Sequence, residues 1–194
     1  MSGQKLSQTI VALALPILLL AACAAPVTGP AAAPTSPAPS PKPLAAEALA
    51  NAEYKTTFLP SGSVKLQEGV YREKVVPGAA SEVVIRLSDF KASGDLDSDG
   101  VEDTAVVLVN SGGGSGTFFT LEAVLNQQGA PKHAASQLLG DRVKLNSLSI
   151  ASGEVVVKMV THGPTDPLCC PTQEVIQRYK LQGDKLTKLA APQP

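Results

Sequence analysis

The stretch SGDLDSDGVEDTAVVLVN, Ser93 to Asn110, decides how the rest of the chain is to be read. Its second half, Thr104 to Val109, is apolar at almost every position. A strand that is apolar on both sides must be covered on both sides, so this segment predicts a central β-strand. Its first half places Asp95, Asp97 and Asp99 at alternate positions, followed by Gly100 and then Asp103. Carboxylates crowded in this way repel by about 1 kcal/mol per pair at 4 Å even in bulk water, unless a positive charge sits between them.

On either side of this stretch, strand patterns dominate. VKLQEGVYREKV alternates about Glu68-Gly69 and reads as a hairpin. EVVIRLS puts Val83, Ile85 and Leu87 on one face, and TFFTLEAVL does the same for Phe119, Leu121, Ala123 and Leu125. VVVKMV groups Val155, Val157 and Met159. In RVKLNSLSI, Val143 and Leu145 share one parity while Leu148 and Ile150 share the other, which predicts a bulge near Asn146-Ser147. Glu174 to Leu181 and Lys185 to Leu189 form a further pair, joined at Gln182-Gly183-Asp184. Ala45 to Tyr54, AAEALANAEY, is the one helical stretch, rich in Ala and free of Gly and Pro. Turn signals recur roughly every 8–12 residues, as in antiparallel sheets, and no internal repeat points to a propeller or solenoid. The expected class is mainly β: a single antiparallel β-sheet domain over 45–190, as a meander, sandwich or partly open barrel, with a short N-terminal helix.

The start of the chain follows different rules. Lys5 and the apolar run Ile10 to Leu20 read as a signal peptide over 1–22. The run is too short for a comfortable membrane span, which needs about 20 apolar residues. Leu20-Ala21-Ala22-Cys23 resembles the lipobox of bacterial lipoproteins. That resemblance implies cleavage before Cys23, diacylation of its thiol and attachment to a membrane of the cell envelope by two or three acyl chains. Ala24 is not the aspartate that retains such proteins at an inner membrane, which favours an outer one. Residues 23–44 then carry seven prolines among Ala, Ser, Thr and Gly, and read as a tether near polyproline II.

Without residues 1–22 the chain keeps fifteen basic and seventeen acidic residues, a net charge of −2. No Lys/Arg cluster occurs and only 4 % of residues are aromatic, with no Trp. Nucleic acid is therefore not an expected partner. The partners expected are the membrane, through the anchor, and an envelope protein or small ligand.

The aspartates occupy loop positions one, three, five and nine, with Gly100 at six and the Val101 carbonyl at seven. Calcium takes six to eight oxygens at about 2.3–2.6 Å, and a tight curl brings alternate carboxylates to that distance. The reading is a calcium site of Asp95, Asp97, Asp99, Asp103 and the Val101 carbonyl, set against a solvated acidic turn. Val106 stands where an EF-hand has its bidentate Glu. D-x-D-x-D-G-x-x-D leading into a strand resembles the calcium loops of FG-GAP or integrin-propeller repeats, over about ten residues only.

Two more loops stand out. NSGGGSGTFF, Asn110 to Phe119, lacks the Lys-Ser/Thr ending of a phosphate loop and precedes a strand, so it reads as a turn. THGPTDPLCCPTQ, Thr161 to Gln173, sets Cys169 and Cys170 side by side near His162 and Asp166. Three readings stand open: a vicinal disulfide, a soft-metal site formed with His162 and Asp166, or thiols that are buried or pair between molecules.

From Asp95 to about Leu189 the order of pieces resembles an uncharacterised group of bacterial envelope lipoproteins. The shared pieces are the acidic loop Asp95–Asp103, Gly113–Phe118, Gly140–Arg142 and Asp166–Thr172. The resemblance implies location and no activity. His133, expected in a turn, and His162 show no evident Ser/Asp partnership in sequence, so a binding or structural role leads. The alternative is a thiol- or metal-dependent activity or sensing at His162, Asp166, Cys169 and Cys170.

Overall fold

A computed structural model describes residues 42–190. The expected signal peptide, Cys23 and nearly all of the tether lie outside the described residues. The first layer is small: helix α1 (Ala46–Ala50), strand β1 (Glu53–Lys55) and strand β2 (Ser63–Lys65), which pairs with β1. Next comes a five-stranded antiparallel meander of β3 (Val70–Lys74), β4 (Glu82–Gly94), β5 (Asp103–Ser111), β6 (Phe118–Gln127) and β7 (Ala130–Asp141). A four-stranded antiparallel meander completes the domain: β8 (Lys144–Ala151), β9 (Glu154–Thr161), β10 (Gln173–Gln182) and β11 (Lys185–Lys188). The class is mainly β and antiparallel, with open sheets, as the strand patterns predict.

β5 lies at the middle of the five-stranded sheet and both its faces are buried. Ala105 and Val107 join a core with Leu121, Ala123, Val155, Val157 and Met159, between the two large sheets. Val106 and Leu108 join a second core with Leu49, Tyr54, Leu66 and Ile85, beneath α1, β1 and β2. Each fully buried Val or Leu contributes about 1.5–3 kcal/mol relative to exposure, so this one strand supports two cores. The apolar groupings read from β4, β6 and β9 each fall together in one of these cores. The bulge in β8 is at Asn146, between Leu145 and Ser147, and it brings Leu145, Leu148 and Ile150 to the same core.

Three expectations are corrected. The expected helix ends at Ala50, because Tyr54 is fully buried in extended backbone and its strand pairs with β2. Val64 to Val75 is not a hairpin. The turn is present, with Glu68 at φ +51°, Gly69 at φ +81° and an isolated bridge from Gln67 to Val70, but β2 pairs with β1 and β3 with β4. His133 is not in a turn but inside β7, a strand the sequence pattern does not announce.

Candidate functional site

The acidic loop is the connection at the tip of the β4–β5 hairpin, from Gly94 to its partner Asp103. Leu96 is buried in the core between the large sheets and anchors the loop from below. The aspartates then fold the backbone around themselves. Asp95 accepts the N–H groups of Ser98 (2.6 Å) and Gly100 (3.0 Å), Asp97 accepts that of Asp99 (3.2 Å), and Asp99 that of Val101 (2.8 Å). Gly100 sits at φ +83°, where a side chain would be strained. One carboxylate oxygen each from Asp95, Asp97 and Asp99 lies within 4.8 Å of the others, and among the described residues no other group of three or more His, Cys, Asp or Glu gathers this closely.

Asp103 stands apart from that group. It is buried, and its two oxygens accept the N–H groups of Leu96 and Asn126, each at 2.9 Å. Burial raises its pKa, the two N–H bonds oppose the rise, and the charges of Asp97 and Asp99 add to it. Asp103 thus closes the loop from a buried position and feels the field of the acidic cluster without joining it. Asn126 adds a second layer by donating to the carbonyls of Glu102 (3.0 Å) and Lys42 (2.9 Å).

The cysteine loop lies at the opposite end of the strands, between β9 and β10. Cys169 and Cys170 are exposed, with Cα atoms 3.8 Å apart and sulfurs in bonding reach. Asp166 organises the loop by accepting the N–H of Gly163 (2.8 Å) and both the N–H (2.7 Å) and hydroxyl (2.8 Å) of Thr172. These bonds, led by that of Gly163, hold its pKa below the ordinary value. His162 Nε2 donates to the Leu168 carbonyl at 3.1 Å. With the Asp166 oxygens engaged, His162, Asp166, Cys169 and Cys170 do not gather as a set of metal donors.

Arg142 joins three of the sequence motifs. Its guanidinium donates to the carbonyls of Leu168 (3.0 Å) and Ser115 and to Asp141 (2.7 Å). Asp141 accepts the N–H of Thr117, and the Arg142 N–H returns to the Thr117 carbonyl, both at 2.7 Å. The glycine-rich turn, the Gly-Asp-Arg segment and the cysteine loop therefore form one hydrogen-bonded cluster.

A third site is not evident in the sequence. Glu122 lies on the β6 face that meets α1, β1 and β2, and is 1 % exposed. β7 bulges at Ala134, so His133 pairs with Val124 and Ser136 with Glu122. Without the bulge, residues three apart would face opposite sides of the sheet; with it, both side chains reach Glu122. His133 Nε2 lies 2.8 Å from Glu122 Oε2, the Ser136 hydroxyl donates to the same oxygen, and the two are 3.2 Å apart. The Lys55 N–H approaches His133 Nδ1 at 3.5 Å, which assigns the ring proton to Nε2. Tyr54 packs edge-on to His133, and burial followed by the Glu122 charge holds its phenol well above the ordinary range. Glu122, His133 and Ser136 border a cavity of about 580 Å³. The signal available in sequence was one acid, Glu122, inside an otherwise covered apolar strand.

No family model matches the chain. No curated protein and no solved structure matches it either.

Proposed function

We propose that the chain is a lipid-anchored protein of a bacterial cell envelope, with a calcium-stabilised β-domain that serves as a binding or structural module. The lipobox at Cys23 and the Pro/Ala-rich tether support the anchor. The gathering of Asp95, Asp97 and Asp99 at the β4–β5 tip carries the calcium reading. The donor set fits: all donors are hard oxygens, which suits calcium rather than zinc or copper, and the exposed loop leaves room for water to complete six to eight ligands. Asp95, Asp97, Asp99 and the Val101 carbonyl would hold the ion, with the buried Asp103 contributing negative charge from behind. The anchor and loop also fit the envelope-lipoprotein resemblance.

The test is a thermal melt in chelator and in millimolar calcium. Calcium that binds only the folded state stabilises it by RT ln(1 + [L]/Kd), about 2.7 kcal/mol at a hundredfold excess over Kd. Calcium is expected to raise Tm, and Asp97→Ala to remove most of the response. Extracellular modules bind at about 10⁻⁴–10⁻³ M, so the titration must reach millimolar calcium. An unchanged Tm there would reduce the loop to an acidic turn.

A further inference from the structure

We propose that the cavity beside Glu122 is a binding site for a small organic cation, a primary amine carried on an apolar body. Glu122 supplies the charge. It is a carboxylate in the second core, 1 % exposed, and still lines the cavity. Both donors seen on it, His133 and Ser136, use Oε2. A carboxylate offers about four acceptor positions, so an ammonium entering from the cavity finds acceptor capacity that the protein leaves unused.

The rest of the wall selects the same chemistry. Phe58 and Leu138 face the cavity, and Phe58 is held by its contact with Phe118 at 5.4 Å between ring centroids. An aromatic wall suits both the apolar body and the charge of an amine. Asp184 adds a second acid to the lining. Lys55 is the one lysine or arginine there, and it meets the site through its backbone N–H and carbonyl. Among the described residues no ion pair joins Lys55 to Glu122. An anionic ligand would face two carboxylates, whereas a cation complements them. The volume is within the range of about 300–1,000 Å³ that small-molecule sites occupy.

This inference sharpens the binding-module reading, and its test is separate from the calcium melt. The full chain in nonionic detergent is titrated with phenethylamine, phenethyl alcohol and hydrocinnamate while the ring resonances of both histidines are followed by NMR. Phenethylamine is expected to shift His133 saturably in the millimolar range that suits a fragment, leaving His162 in place. The alcohol should bind about tenfold more weakly and the acid more weakly still, as the charge-assisted bond requires. Glu122→Gln should reduce amine affinity by about tenfold and leave the alcohol unchanged. Should that variant fail to fold, Leu138→Lys places a cation at a half-exposed wall position and should weaken the amine by a similar factor. Absence of a saturable His133 shift, equal binding of the three probes, or full amine affinity in the folded Glu122→Gln or Leu138→Lys variant would overturn the proposal. The Glu122–His133–Ser136 group would then be an internal clamp between β1 and β7. Any of these results would leave the calcium and anchor readings where they stand.

Discussion

The guanidinium of Arg142 donates to the carbonyl of Leu168 at 3.0 Å, and this bond ties the tip of the cysteine loop to the end of β7. The same side chain reaches Ser115 and Asp141. Arg142→Ala should therefore loosen the cysteine loop and the glycine-rich turn together. Hydrogen bonds to charged groups contribute about 1.5–3 kcal/mol, so the expected destabilisation is about 1–3 kcal/mol. Chemical denaturation measures the loss, and limited proteolysis should show both loops cut faster. Faster cutting at one loop alone would mean that Arg142 does not couple them.

If the chain is exported as proposed, the adjacent Cys169 and Cys170 are expected to be joined, because compartments outside the cytoplasm are oxidising. The purified, unreduced and denatured domain should contain no titratable thiol from this pair and should migrate as a monomer. Two thiols under those conditions would leave a reduced pair. A stoichiometric metal would favour the soft-metal reading.

Asp103 gives a pH signature. Its folded pKa is raised from 3.8, so the folded state binds the proton more tightly than the unfolded chain. Its stabilising contribution is fully present below 3.8 and is lost as pH rises through the folded value. Part of the rise comes from Asp97 and Asp99, so a cation bound between those residues should bring the Asp103 pKa back down. Carboxyl-carbon NMR titrations with and without calcium test this. An Asp103 pKa that calcium leaves unchanged would separate this residue from the ion.

The mature protein is expected to begin at an acylated Cys23. Mass spectrometry of the protein extracted from membranes decides it. An unmodified Cys23, or a chain starting elsewhere, would contradict the lipobox reading.

The strands legible in the sequence were β5, apolar throughout and covered on both faces, β9, whose burial alternates with its apolar positions, and β6, whose apolar residues alternate although both of its faces are buried. The β8 bulge was legible because a phase error in apolar parity has one cheap repair. β7 was not legible for two physical reasons. Its sequence, APKHAASQLLGD, is poor in β-branched and aromatic residues, and extra residues at Ala134 and Leu139 break its alternation twice. The cavity site went unseen with it, since His133 and Ser136 share a face only because of the first bulge. The misread hairpin shows a different limit: Glu68-Gly69 makes the turn, while the choice of partners for β2 and β3 is made by distant strands. At the acidic loop, the spacing identified the three aspartates that gather. It did not show that Asp103 would be buried apart from them, tied to the N–H groups of Leu96 and Asn126.

Because β5 is walled in on both sides, its amides should open to solvent only when the whole domain opens, and should rank among the slowest to exchange with deuterium. The acidic loop grows directly from that strand, through Asp103. Its resting shape is thus set by a strand held between two cores. An ion arriving at Asp95, Asp97 and Asp99 would meet a socket already held open, with little chain motion left to arrest on binding.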